Sequence, residues 1–252
     1  MLDKKFENAK RILLTTVMTA LCWALPGCQS ITPTTTYADI RFIDASPDAP
    51  GLDIYQGNTA VVYNMGFTTV TTYVPISPGS YRFTAYTANT KQSQVSTTGS
   101  VSNGNQYTVL ISNVAASLQE TIFLDQSRPA PSGQIDIRVI NEATSTSGTP
   151  FDLYMIPSGT PLANAKLLAT SAFNTIGNYI SVATGSYYVL LVPTGTVLTS
   201  TTVATYTGTL KAYTSGSAHT VIIVDPPNTV TTPGAQVIIT DDYEPPGAVA
   251  AQ

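Results

Sequence analysis

From residue 38 onward, hydrophobic and polar positions alternate with a period of two. Ile135, Ile137 and Val139 alternate with Asp136 and Arg138, and Tyr81, Phe83 and Ala85 alternate with Arg82 and Thr84. Val95, Thr97, Gly99 and Val101 are likewise separated by polar residues. Such alternation puts one face of an extended strand on a core and leaves the other in water. Turn-forming groups, among them Ser77-Pro78-Gly79, Asn103-Gly104 and Ser158-Gly159, break these runs every ~10–15 residues. Residues 162–169 offer at most one or two helical turns. The pattern predicts an all-β fold, two tandem Ig-like antiparallel β-sandwich domains, each with roughly seven or eight short strands.

The prediction of two domains rests on internal matches. Asp39-Ile40-Arg41-Phe42-Ile43 corresponds to Asp136-Ile137-Arg138-Val139-Ile140, and Asp53-Ile54-Tyr55 to Asp152-Leu153-Tyr154. Gly79-Ser80-Tyr81 corresponds to Gly185-Ser186-Tyr187, and Tyr107-Thr108-Val109-Leu110-Ile111 to His219-Thr220-Val221-Ile222-Ile223. The offsets grow in order, 97, 99, 106 and 112, as insertions into a second copy would make them. The expected organisation is copy one at 38–126, a Pro/Ser/Gly linker at 127–133, copy two at 134–243 and a fraying tail at 244–252. A proteolytic cut around Arg128 and independent folding of each half are expected from it.

The N-terminal segment has a different character. Lys4, Lys5, Lys10 and Arg11 precede an uncharged apolar run from Ile12 to Leu25, too short to span a bilayer and suited to a signal-peptide core. It ends in Leu25-Pro26-Gly27-Cys28, which resembles the bacterial lipobox. Residues 1–27 therefore read as a lipoprotein signal peptide, Cys28 as the acylated residue and 28–37 as a Thr/Pro-rich tether. Gln29 in place of Asp favours an outer membrane where the cell has two. The mature chain would hold no other Cys, hence no disulfide.

Composition narrows the function. Charged residues make up only 10% of the chain, and 43% are hydrophobic. Beyond residue 27 there are 7 basic and 13 acidic residues, a net charge of −6, which offers no basic surface for nucleic acid. His219 is the sole imidazole, and Tyr107 fills its place in the first copy, so it reads as a strand residue. A Ser-His-Asp triad would need it, yet no Gly-x-Ser-x-Gly is present. Ligands for a zinc site of the usual kind are missing. The expectation is no enzyme and no obligatory cofactor.

Three groups of residues stand out within that frame. Asp44, Ser46, Asp48 and Asp53 lie close together around Pro47 and Pro50. They read as a stiff turn that caps its own backbone, and as a candidate ligand or Ca²⁺ loop. Arg41 with Asp53, and Arg138 with Asp152, recur in both copies on the first and second strands and are expected to form structural ion pairs. The 14 Tyr suit strands, and an exposed strip of them could stack on sugars.

The run from Arg41 to Tyr55, RFIDASPDAPGLDIY, resembles the opening motif of the DUF4397 family, whose pattern is roughly R-V-V-H-A-S-P-D-A-P-x-V-D-V-Y. Pro78-Gly79-Ser80-Tyr81 and Gly104-Asn105-Gln106-Tyr107-Thr108-Val109 are similar to later segments of that family, and Asp44 stands where its pattern has His. The resemblance extends over 38–242 as two copies and implies a secreted or cell-surface bacterial β domain without a defined activity. Together these readings predict a lipid-anchored envelope protein, extracytoplasmic, that serves as a non-catalytic binding or structural module. Its partners would be the membrane through Cys28 and an envelope glycan or protein. The alternatives are a Ca²⁺-dependent or glycan-binding adhesin and, behind it, an envelope hydrolase.

Overall fold

The computed structural model describes residues 37–146, 148–227 and 234–246. The expected signal peptide, Cys28, nearly all of the expected tether and the end of the tail lie outside the described residues. Among the described residues no helix is long and apolar enough to cross a membrane.

The first half contains β1 (Ala38–Asp44), β2 (Leu52–Gln56), β3 (Thr59–Met65), β4 (Val74–Ile76), β5 (Gly79–Thr87), β6 (Ser93–Val101), β7 (Gln106–Ser112) and β8 (Gln119–Asp125). They form one sheet in the order β4-β1-β7-β8 and a second in the order β3-β2-β5-β6. Ile40, Phe42, Val109 and Ile111 of the first sheet pack on Leu52, Ile54, Phe83 and Ala85 of the second. Phe83 and Ala85 contribute by the alternation already read from the chain, and the others by the same period of two.

The second half repeats this order with β9 (Gln134–Asn141), β10 (Phe151–Pro157), β11 (Leu167–Ser171), β12 (Thr175–Ile176), β13 (Ile180–Ala183), β14 (Gly185–Pro193), β15 (Tyr206–Thr207), β16 (Lys211–Tyr213), β17 (Ala218–Val224) and β18 (Gln236–Tyr243). One sheet runs β12-β9-β17-β18, with β13 also on β9. The other runs β11-β10-β14-β15, with β16 also on β14. Ile135, Ile137, Val139, Leu153, Val189, Leu191, Val221 and Ile223 fill the space between them. The all-β reading with two sandwiches holds. Within it, β1 pairs with β7 and β9 with β17 in parallel, a departure from a wholly antiparallel sandwich.

The parallel pairs have a physical reason for their place. Parallel strands are found where both faces of a sheet are covered. Here β1, β7, β9 and β17 are buried along nearly their whole length. One face of each packs inside its own sandwich. The other face meets the opposite half: Ile43, Ala45 and Leu110 pack with Ile140, Ile222, Val224 and Ile238, flanked by Phe67 and Phe123. Four sheets thus stack in layers, and residues 36–252 form one compact unit. The segment 127–133 is tied into it. Ala130 is buried and donates its N–H to Gly216, and Gly133 donates to Ser215 Oγ.

Because the halves share a core, a chain cut once by a protease site inserted at 127–129 is expected to elute from size-exclusion as a single species of uncut size. Two separated fragments would show that the shared face contributes little to association.

Candidate functional site

The two arginines expected to pair with Asp53 and Asp152 do not, and parity explains the correction. Arg41 alternates with Ile40 and Phe42, so it points away from its own sandwich core. Asp53 alternates with Leu52 and Ile54 on the opposing sheet and points away on the other side. The sandwich lies between them. Arg41 instead donates to Thr108 Oγ1 at 2.8 Å, to the Asp241 carbonyl at 3.0 Å and to the Asp242 carboxylate. Arg138 mirrors it, donating to Thr220 Oγ1 at 3.0 Å, to the Leu124 carbonyl at 2.9 Å and to the Asp125 carboxylate. Each arginine therefore binds the last strand of the other half. Tyr73 and Tyr179 close the cluster, each donating a 2.7 Å hydrogen bond, to Asp125 and Asp242 respectively. They stack beneath Arg41 and Arg138 at 4.7 and 4.6 Å. Burial opposes the charge on Arg41, but Asp242, Tyr73 and Asp125 outweigh it, and its pKa is raised. Burial likewise pushes both phenols upward, so they remain donors. All four charges are buried, and together they clamp the two halves.

Asp53 is used in holding two neighbouring segments of backbone together. Its carboxylate accepts from the backbone N–H groups of Asn64 and Asn89, both left-handed at φ 47° and 60°. Asp152 accepts from Thr170, Thr194 and the Gly195 N–H. Asp48 accepts from the Ala115 N–H at 2.7 Å. Asp44 and Ser46 are fully buried, and Asp44 Oδ1 accepts from the Ser46 N–H. A contact surface drawn on Asp44, Ser46, Asp48 and Asp53 is thereby corrected. The first, second and fourth are buried, and the three carboxylates accept from backbone N–H groups, Asp44 within its own Asx turn and Asp48 and Asp53 from segments distant in the chain. Asp48→Ala is expected to cost about 1 kcal/mol of stability by freeing the Ala115 N–H. Thermal melts of the two chains would measure this.

His219 lies where strand reasoning put it, enclosed in β17. The structure adds its partners. Its Nε2 shares a 2.7 Å hydrogen bond with Ser217 Oγ, its Nδ1 a 2.8 Å one with Asp241, and its ring meets Tyr213 edge-on at 4.9 Å. Asp241 also receives Lys211 at 3.2 Å, and Glu244 lies 3.7 Å from Nε2. The His219 hydrogen bond, with help from Lys211, lowers the Asp241 pKa to about 2. The order Ser217–His219–Asp241 is that of a proton relay, but Ser217 and His219 are 0% and 1% exposed. Through Lys211, His219 and Asp241 these bonds tie β16, β17 and β18 together. Ser217 could have been found from its place two residues before His219, and Asp241 only from the strand register.

The exposed chemistry lies on the outward face of β3-β2-β5-β6. Tyr55 and Tyr86 meet edge to face at 5.1 Å and 78°. Lys91 sits 4.0 Å over the Tyr55 ring and donates to its hydroxyl at 2.9 Å, which raises the lysine pKa. Tyr63, on β3 with the same outward parity, is 71% exposed. Arg82 donates to Ser96 on the same face. The second half hides its equivalent face. Tyr154, Ile156, Leu190 and Val192 are buried beneath Leu162, Ala165, Leu198 and Ala204. The offset between copies grows from 99 to 106 across the connection of residues 158–166, which replaces the two-residue turn between β2 and β3. The growing offset was legible in the sequence; that the added residues roof one tyrosine face and leave the other bare was not.

Residues 38–148 match the family described as a domain of unknown function, DUF4397, so the match covers the first half and the opening strand of the second. Among curated proteins no sequence relative is found. Among solved structures the chain is similar to the Bacillus anthracis TIE protein at 10% identity and a TM-score of 0.23, over 76% of this chain and 34% of that one. The chain thus spans about a third of that protein's length. It is also similar to CBMbc, a family CBM26 module of Eubacterium rectale Amy13K solved with maltoheptaose, at 12% identity and a TM-score of 0.25, over 83% of this chain and 98% of that one.

Proposed function

We propose that this chain is a non-catalytic binding module of the bacterial cell envelope, carried on a lipid anchor at Cys28, and that the outward face of β3-β2-β5-β6 is its contact surface. The observation that carries this reading is the asymmetry between the halves. One tyrosine face is roofed by inserted loops, while the other presents Tyr63 on β3 and, beside Lys91, Tyr55 and Tyr86. Tyrosine rings present a flat apolar body with a polar rim, the chemistry that stacks on a sugar ring and bonds its hydroxyls. Lys91 and Arg82 add donors at the edge of the platform. An envelope glycan is the ligand class this combination fits, and the two-sandwich body would hold the platform away from the membrane as a rigid unit. The internal matches support descent of both halves from one duplicated unit.

Binding of the chain to purified envelope glycans is expected to fall about tenfold for Tyr63→Ala and for Tyr86→Ala, the ~1.4 kcal/mol of one stacked ring. Tyr188→Ala, in the second half, should leave binding unchanged. Affinity electrophoresis in glycan-loaded gels reads all three, and unchanged mobility of the first two would defeat the platform. Mass spectrometry of the membrane fraction is expected to find a diacylglyceryl group on Cys28; an unmodified Cys28 would remove the anchor from the proposal.

A further inference from the structure

We propose a second site, independent of the tyrosine platform: a cleft in the second half that takes a long-chain aliphatic carboxylate. On one side of that sandwich β11 and β13 are edge strands of opposing sheets. A cavity of about 590 Å³ opens between them. Met155, Leu168, Val182 and Tyr187 are among its walls, and Asn164 and Lys166 are among the polar residues that line it. A second cavity of about 570 Å³ adjoins it along the same edge, sharing Ile180. The floor is the sandwich core itself, since Met155 and Tyr187 belong to the inner cluster and Leu168 and Val182 pack against it. A ligand here continues the core in the gap between the edges, and its apolar length is removed from water on both sides.

The shape and charge select the ligand. Two cavities in line along a strand edge fit one extended chain better than a compact or branched molecule. Lys166 is the cation at this cleft, and among the described residues it has no acidic partner. The other basic side chains are mostly committed: Arg41 and Arg138 to the buried aspartates, Lys211 to Asp241, Lys91 to Tyr55 and Arg82 to Ser96. In an acidic body, an unpaired ammonium beside an apolar cleft is complementary to a single negative charge at the end of an aliphatic tail. The Asn164 amide supplies a further donor for a carboxylate oxygen.

The test uses residues 36–252, the compact unit, with cis-parinaric acid as a fluorescent polyene fatty acid. Probe fluorescence is expected to rise on binding, and palmitate to displace it. Hexadecanol, which has the tail without the charge, should displace it roughly tenfold less well. Lys166→Ala, at an exposed position, should lower palmitate to the level of hexadecanol and leave hexadecanol unchanged. Val182→Trp, which fills the cleft, should abolish both, and Leu168→Phe gives a milder block should the first variant fold poorly. Absence of probe binding, equal potency of palmitate and hexadecanol, or an unchanged Lys166→Ala would each overturn the proposal. None of these results bears on binding at Tyr63 or Tyr86.

Discussion

Replacing Asp125 with alanine is expected to destabilise the chain by about 3–5 kcal/mol, the cost of leaving a buried charge without its partner. The carboxylate serves four groups at once. Arg138 binds it, Arg41 lies 3.7 Å away, and the hydroxyls of Tyr73 and Thr108 donate to it. Its removal strands a guanidinium that is 3% exposed and leaves two donors unpaired. Asp242→Ala should cost a similar amount, because Arg41, Tyr179, Thr220 and Thr240 depend on it in the same way. The pair Arg138→Met with Asp125→Leu should cost less than the sum of its singles, since no charge is then left alone and the Arg41–Asp242 contact survives. Urea denaturation of these variants beside the parent chain measures this. A loss below about 1 kcal/mol for Asp125→Ala would mean that the clamp is hydrated and contributes like a surface pair.

Stability is expected to fall as pH rises from about 4 to about 8, the reverse of most acidic proteins. Three buried carboxyls have raised pKa values, and burial is the first cause for each: Asp44 to about 7, Glu142 to about 7 and Glu120 to about 8. The sign follows from proton counting. Between the ordinary carboxylate range and these values the folded chain holds protons that the unfolded chain has released, so folding weakens with each step of pH and levels off above about 8. Below about 4 the trend turns, because Asp241, lowered to about 2, loses its bond to His219 as it protonates. Asp44 explains its share by comparison with Asn141, its counterpart in β9. Asn141 Oδ1 accepts from the Ala143 N–H, and its Nδ2 donates to the Ser171 carbonyl at 3.0 Å. Asp44 reproduces the first bond with Ser46 but has no partner for Oδ2 among the described residues. Asp44→Asn is therefore expected to stabilise the chain at pH 8 by about 2–4 kcal/mol and to change little at pH 4, where the carboxyl is already neutral. Thermal melts across pH 4–9 would show this; equal slopes for the two chains would place the proton elsewhere.

Strand existence and the confinement of His219 to a strand were determined by the sequence alone, because alternation and turn residues act over a few positions. Ile135, Ile137 and Val139 form core as their spacing requires. The turn chemistry of Asp44, which accepts from the Ser46 N–H, also followed from local preference. What the second face of β1, β7, β9 and β17 meets was decided by the tertiary structure. A period of two assigns residues to a face without saying whether that face ends in water or on another sheet. Arg41, Thr108, Arg138 and Thr220 read as solvent-facing by alternation, yet the stacking of the inner sheets buried them together. Their acidic partners sit on the last strand of the other half, Asp242 on β18 201 residues from Arg41 and Asp125 on β8 13 residues from Arg138, and a period of two connects neither pair. The same holds for the tyrosines. Tyr55 and Tyr154 occupy matched places, and only the packing of residues 158–166 and 194–204 made one a surface and the other a core.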